Sequence, residues 1–143
     1  MYRKILVALE NGRADESLLP HVTQLAKEFH SHVLLMHVAD GWAARHFNQL
    51  KLIESEEMRN DRDYLERSAA QLRSEGLEVS ISLALGEPSK EILRTAAEED
   101  CDLIAMTTHG HRWLEDLMFG STISAVRHKA EVPILLVKAG KKG

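Results

Sequence analysis

Short apolar runs that alternate with amphipathic segments constrain the fold of this chain more than any other feature. Such runs are typical of strands buried on both faces of a parallel sheet. The predicted strands are Ile5 to Leu9, Val33 to Val38, Leu77 to Leu85, Leu103 to Met106 and Ile134 to Val137. The third of them alternates between apolar and polar residues, as expected nearer a sheet edge. Their alternation with helical segments predicts a Rossmann-like α/β fold, with one five-stranded parallel sheet and helices on both faces.

The segments between the strands predict four helices. The first covers Leu18 to Phe29, and the second runs from about Met58 to Gly76, where glycine suits a helix end. The third begins at Pro88, and the fourth begins at Gly120-Ser121-Thr122. The stretch from Gly41 to about Met58 is rich in charge, and its sequence fits a helix, a mobile lid or a loop equally.

Composition narrows the class of protein. The 143 residues, 44% of them hydrophobic and 28% charged, predict one globular domain over residues 1–143. A net charge of −4 without a basic surplus argues against a nucleic-acid partner. The single cysteine, Cys101, excludes an internal disulfide, and the first apolar run is too short for a leader or a membrane span. We therefore expect a cytoplasmic protein without a membrane or nucleic-acid partner.

A ligand site is expected where the winding of the sheet reverses direction. We predict the strand order 3-2-1-4-5, and sheets of this kind bind ligands outside the carboxyl ends of the strands at that point. The crevice is then flanked by Leu9-Glu10-Asn11 and by Thr107-Thr108-His109-Gly110.

The second of these segments also carries the elements of a phosphate site. It continues through His111 and Arg112, and Gly120-Ser121 opens the predicted fourth helix. Glycines allow backbone N–H groups to approach an anion, and a helix N-terminus adds partial positive charge. The same glycines also fit ordinary turns, so both interpretations stay open. The sequence has no Gly-x-x-x-x-Gly-Lys-Ser/Thr loop of a P-loop NTPase.

Several of these motifs together resemble the universal stress protein family, and they do so along nearly the whole chain. They are Ile5-Leu6-Val7-Ala8, Gly86-Glu87-Pro88, Asp102-Leu103-Ile104, Thr108-His109-Gly110, Gly120-Ser121, Val126-Arg127-His128 and Val132-Pro133-Ile134-Leu135-Leu136-Val137. The resemblance implies a fold similar to the adenine nucleotide alpha hydrolases.

The resemblance also implies a nucleotide site, with two departures. Nucleotide-binding members carry the pattern Gly-x2-Gly-x9-Gly-Ser/Thr, and Gly110, Gly120 and Ser121 fit its last three positions. Thr107 stands in place of the first glycine, and Glu10 stands where these members usually have Asp. Both changes add bulk at the crevice. The resemblance places Val38 against the adenine.

Metal binding and catalysis find little support in the sequence. Zinc needs several converging ligands, whereas the eight histidines are scattered. His109 and His111 would need a third partner, so solvated or phosphate-facing side chains are the simpler interpretation. Ser121 lacks a motif that supplies an activating base, and Cys101 is expected to be buried and inert. We therefore predict no catalytic residue and no metal ligand.

The apolar strand from Ile134 to Val137 should lie at a sheet edge, where it needs cover. The resemblance to the family implies that this strand pairs with the same strand of a second subunit, so we expect a homodimer.

The leading hypothesis for the function is a stress-response regulatory protein that binds ATP or a related adenine nucleotide, with or without Mg²⁺, and hydrolyses it slowly at most. The alternatives are a nucleotide-free dimeric interaction module of the same fold, and a hydrolase or transferase acting on an adenylate.

Overall fold

The computed structural model describes residues 1–40, 51–108 and 113–140. The strands are β1 (Lys4–Ala8), β2 (His32–Asp40), β3 (Glu78–Gly86), β4 (Leu103–Thr108) and β5 (Ile134–Lys138). The helices are α1 (Asp15–Phe29), α2 (Lys51–Ser74), α3 (Pro88–Glu98) and α4 (Trp113–Lys129). Most strands extend past the predicted apolar runs because backbone hydrogen bonding continues into polar flanking residues.

The five strands form one parallel sheet in the order β3-β2-β1-β4-β5, which confirms the predicted order. The central strand β1 pairs on both sides, with Ile5 opposite Val33 of β2 and opposite Leu103 of β4. The winding reverses between β1 and β4, so a crevice is expected outside their carboxyl ends.

Alternate residues of the central strands enter two separate cores. One core, beneath α1 and α2, contains Ile5 and Val7 of β1 together with Leu18 and Leu65 of the helices. The other core, beneath α3 and α4, contains Leu6 from the opposite face of β1 together with Ile92 and Val126 of the helices. Burial on both faces explains why the central strands β1 and β4 read as continuous apolar runs.

The predicted start of the last helix is wrong. Helix α4 begins at Trp113, so Gly120 and Ser121 lie about two turns inside it. Residues 113–119 contain neither Gly nor Pro and include Leu, Glu and Met, which favour helix. One internal glycine costs only about 1 kcal/mol relative to alanine, so Gly120 does not end the helix.

Helix α2 also begins earlier than the sequence indicates, at Lys51 rather than near Met58. The preceding residues 41–50, which belong to the charged stretch from Gly41 to about Met58, lie outside the described residues.

The two edge strands of the sheet are β3 and β5, as predicted. Within the described ranges, no helix combines the length and apolar character needed to cross a bilayer.

Candidate functional site

A cavity of about 720 Å³ lies at the carboxyl ends of β1, β2 and β4, at the expected position. The strands and the residues just after them form its floor, while α2, α3 and α4 contribute the walls. Its lining consists of Ala8, Leu9, Glu10, Asn11, Met36, His37, Val38, Ala39, Glu57, Asn60, Asp61, Glu87, Pro88, Ser89, Ile92, Met106, Thr107, Ser121, Thr122 and Ala125.

The structure brings together six of the residues predicted from the sequence. The cavity is lined by Leu9, Glu10, Val38, Thr107, Ser121 and Thr122. Gly120 lies in α4, and its expected role at a helix N-terminus disappears with the corrected helix start. The other predicted residues, His109, Gly110, His111 and Arg112, lie outside the described residues.

The segment after β1 is held by a buried carboxylate, Asp15, which is 1% exposed. Its Oδ1 accepts a hydrogen bond from the backbone N–H of Glu10 at 3.0 Å, and its Oδ2 accepts one from that of Asn11 at 2.9 Å. The hydroxyl of Tyr64, from α2, also donates to Oδ2, at 2.5 Å. These bonds attach the β1 end to α2, because both contribute donors to one carboxylate.

Tyr64 is kept protonated by the same arrangement. Burial raises the pKa of its phenol, and the hydrogen bond to Asp15 raises that pKa further. A phenolate would face the Asp15 carboxylate as a like charge, so the neutral donor is the stable form.

Asn11 has a left-handed backbone with φ +60°, a conformation that asparagine tolerates better than most residues. Its side-chain Nδ2 donates to Oδ1 of Asp61 at 2.8 Å, which adds a second link between the β1 segment and α2. Asp61 lines the cavity, so the link forms part of the wall.

His37 of β2 joins the same network from the cavity floor. Its Nδ1 lies 2.9 Å from the carbonyl oxygen of Leu9, so this nitrogen must carry the proton and donate. Its Nε2 lies 3.5 Å from Oδ1 of Asp61. Both ring nitrogens thus face oxygen atoms, which fixes the ring between β1 and α2.

A further hydrogen bond joins β4 to the segment after β1. The hydroxyl of Thr107, which is 2% exposed, donates to Oε2 of Glu10 at 2.9 Å. These are the two residues that depart from the nucleotide-binding pattern, and the structure shows that they contact each other.

The cavity combines apolar surface with oxygen acceptors. Val38, Ile92 and Met106 supply apolar side chains, while four carboxylates lie on the lining, those of Glu10, Glu57, Asp61 and Glu87. The arrangement suits a flat apolar group with polar hydrogens at its edge. Among the described residues, no group of three or more His, Cys, Asp or Glu could hold a metal ion.

Cys101 lies away from this cavity, in the core beneath α3 and α4. It is buried, and burial raises the pKa of its thiol to about 11. The thiolate is therefore scarce at neutral pH, as expected for an inert thiol.

Sequence analysis missed Asp15, His37, Asp61 and Tyr64. The sequence contains a signal for His37, since it is a polar residue inside an apolar strand next to Val38. It also contains a signal for Asp15, because an acidic residue after a polar turn is typical of a helix start. It contains no signal for Asp61 and Tyr64, because they reach the site only through the packing of α2.

Comparison with known proteins agrees with this fold. A model of the Universal stress protein family matches residues 1–138. Universal stress protein MJ0577 of Methanocaldococcus jannaschii is 28% identical over 158 residues, which cover 96% of each chain. The solved structure of MJ0577 has a TM-score of 0.87 at 27% identity and covers 99% of each chain.

Two more distant structures carry nucleotides. A universal stress protein of Archaeoglobus fulgidus in complex with dAMP is 24% identical, with a TM-score of 0.68 over 96% of this chain and 98% of that chain. Another universal stress protein, in complex with cAMP, is 14% identical, with a TM-score of 0.70 over 97% of this chain and 98% of that chain. Both share the fold described above.

Proposed function

This chain belongs to the universal stress protein family, and from that membership we propose that its cavity binds ATP or another adenine nucleotide, with or without Mg²⁺. The base packs against Val38, and the phosphates extend towards Ser121 and Thr122 of α4. The bound nucleotide serves a regulatory role in the stress response, and its hydrolysis is slow at most.

One observation carries the proposal, namely a cavity of nucleotide size at the switch point of the sheet. Its volume of about 720 Å³ lies in the range of small-molecule sites, about 300–1,000 Å³. Val38, Ile92 and Met106 supply the apolar surface that a purine needs, and Glu10 and Asn11 supply polar groups beside it. The complexes of the two distant structures with dAMP and cAMP support the proposal, because they place adenine nucleotides in other chains of this fold.

The first test is native mass spectrometry of the purified protein, followed by calorimetric titration with ATP and MgCl₂. A retained or titratable adenine nucleotide supports the proposal. A protein that is empty and does not respond to ATP, AMP or adenosine contradicts it.

A matched pair of variants locates the site. Val38 and Val132 both pack, partly buried, against the same core, but only Val38 is among the described residues that line the cavity. We expect Val38→Phe to fill the base position and weaken nucleotide binding at least about tenfold, since overpacking of a formed site is poorly tolerated. Val132→Phe should leave the affinity unchanged. Equal effects of the two substitutions would place the nucleotide elsewhere.

The alternative is a nucleotide-free dimeric interaction module, and the bond between Thr107 and Glu10 favours it. These side chains occupy the switch point, where a ligand has to cross. This alternative predicts a protein that associates with itself and remains indifferent to adenine nucleotides.

In either case we propose a homodimer formed through β5. This strand lies at the sheet edge, and its Leu136 is 39% exposed. An apolar edge strand that pairs with a second copy loses its free backbone edge. Light scattering should give twice the chain mass for the native protein and a lower mass for Leu136→Lys. A native protein with the mass of a single chain would contradict the proposed dimer.

A further inference from the structure

The hydrogen bond between Thr107 and Glu10 connects the two strands between which a ligand must pass. Thr107 lies in β4, one residue before its end, and Glu10 follows β1. Val38 lies in β2, on one side of β1 and β4 in the sheet order. Helix α4, with Ser121, forms the opposite side of the cavity. A ligand that extends from Val38 to Ser121 therefore crosses the Thr107–Glu10 pair.

Glu10 is held at both its backbone and its side chain. Its N–H donates to Asp15 at 3.0 Å, and its Oε2 accepts from the hydroxyl of Thr107 at 2.9 Å. A hydrogen bond to an ionised acceptor is roughly twice as strong as a neutral one. The hydroxyl of Thr107 is buried, so it needs an acceptor, and the carboxylate of Glu10 provides it.

We infer that Thr107 is a positioning residue that acts through Glu10, because its hydroxyl holds the Glu10 carboxylate at the point where the ligand crosses from β1 to β4. The negative charge fixed at this point makes the cavity bind uncharged ligand groups in preference to anionic ones. The inference rests on the proposed function and deepens it. Its consequence is a preference for adenosine over ATP when no divalent cation is present to screen the phosphates.

The other charges of the cavity act in the same direction. Glu57, Asp61 and Glu87 also line it, so a phosphate that enters meets several carboxylates. Like charges at short range disfavour binding, and in a partly enclosed site salt screens them less than at the surface. Asp61 is held by the side chain of Asn11, whereas Glu10 is held by a buried hydroxyl from the neighbouring strand β4.

This inference differs from the sequence-based expectation that Thr107 acts by its bulk. Threonine can be changed in two ways that separate the two effects. Thr107→Val keeps the shape and removes the hydroxyl, whereas Thr107→Ser keeps the hydroxyl and removes a methyl group. Glu10→Gln removes the charge and keeps the size.

The experiment measures the dissociation constants of adenosine and of ATP by calorimetry at fixed ionic strength, in buffer containing EDTA. We expect Glu10→Gln to shift the ratio of the two constants about tenfold towards ATP, as for the loss of one partly screened like charge. Thr107→Val should shift it about threefold, since the carboxylate loses one of the contacts that hold it, and Thr107→Ser should leave it within about twofold. The double variant Thr107→Val/Glu10→Gln should behave like Glu10→Gln alone.

Three results would overturn the inference: equal shifts for Thr107→Ser and Thr107→Val, no shift for Thr107→Val, or additive shifts in the double variant. A native protein that binds neither adenosine nor ATP would refute the proposed function instead. In that case the native protein, Thr107→Val, Glu10→Gln and the double variant are compared by urea unfolding, which needs no ligand. If the effects of the two substitutions on the unfolding equilibrium constant are coupled by about fivefold or more, the positioning role is supported. If the two effects are additive, the positioning role is rejected.

Discussion

Asp15 and Asp102 lie at opposite ends of the sheet, and both carboxylates accept hydrogen bonds from backbone N–H groups of the β1 segment. Asp102 accepts from Arg3 at 2.9 Å and from Lys4 at 3.0 Å, at the start of the strand. Asp15 accepts from Glu10 and Asn11, just after the strand ends. β1 is thus fixed at both ends by the same chemistry.

The two ends differ in burial. Asp15 is 1% exposed and also accepts from Tyr64, whereas Asp102 is only partly buried and lies near water. Water can replace the acceptor at Asp102 but not at Asp15. At the cavity end, therefore, the backbone N–H groups of Glu10 and Asn11 depend on a buried acceptor that solvent cannot replace, whereas at the other end water can take over from Asp102.

The largest effect is expected for Asp15→Asn. The amide has one acceptor oxygen where the carboxylate has two, and its NH₂ group faces buried donors. We expect the free energy of unfolding to fall by about 3 kcal/mol, because buried donors lose their acceptor. Urea unfolding measures the loss. The matched control is Asp102→Asn, and similar losses for both variants would show that burial does not separate the two ends.

Asp15→Asn should also affect the site itself. The backbone of Glu10 and Asn11 would lose its fixed position, so any nucleotide affinity should fall along with stability. A variant that is less stable but binds with unchanged affinity would show that the segment is held by other contacts.

Tyr64→Phe should have an intermediate effect, a loss of about 1 kcal/mol, because one donor to Asp15 disappears while the backbone donors remain. The pKa of Tyr64 is raised in the folded protein, so its contribution is present below the unfolded pKa of about 10 and is lost as pH rises above it. The difference in unfolding free energy between native protein and Tyr64→Phe should therefore shrink in alkali. A constant difference from pH 7 to pH 11 would contradict the assigned hydrogen bond.

Asp102→Asn should have the smallest effect, below about 1 kcal/mol, since solvent screens this carboxylate. Partial burial alone would raise the pKa of Asp102, but the N–H donors of Lys4 and Arg3 outweigh it and hold that pKa below its ordinary value. The stabilisation is then present above the unfolded pKa of about 4 and is lost as pH falls through the folded value. Urea midpoints of the native protein and the variant should differ at pH 7 and converge in acid.

Much of the fold could be predicted from local patterns. Apolar runs such as Leu103 to Met106 identified buried parallel strands, and the predicted order 3-2-1-4-5 is one of the orders that doubly wound sheets commonly adopt. The order in turn placed Leu9, Glu10 and Thr107 at one cavity. The start of α4 could not be predicted, because glycine at position 120 suits a helix boundary and is also tolerated inside a helix.

The sequence by itself determined the alternation of strands and helices, the two-sided burial of the sheet and the end of the sheet at which a ligand can bind. These follow from hydrophobic periodicity and chain handedness, which act over short distances. Only the tertiary structure decided that Asp15 meets Tyr64 and that Thr107 meets Glu10. Those partners are 49 and 97 residues apart in the chain. Hydrogen bonds depend on exact distance and direction between side chains, and packing sets both only when the helices lie on the sheet.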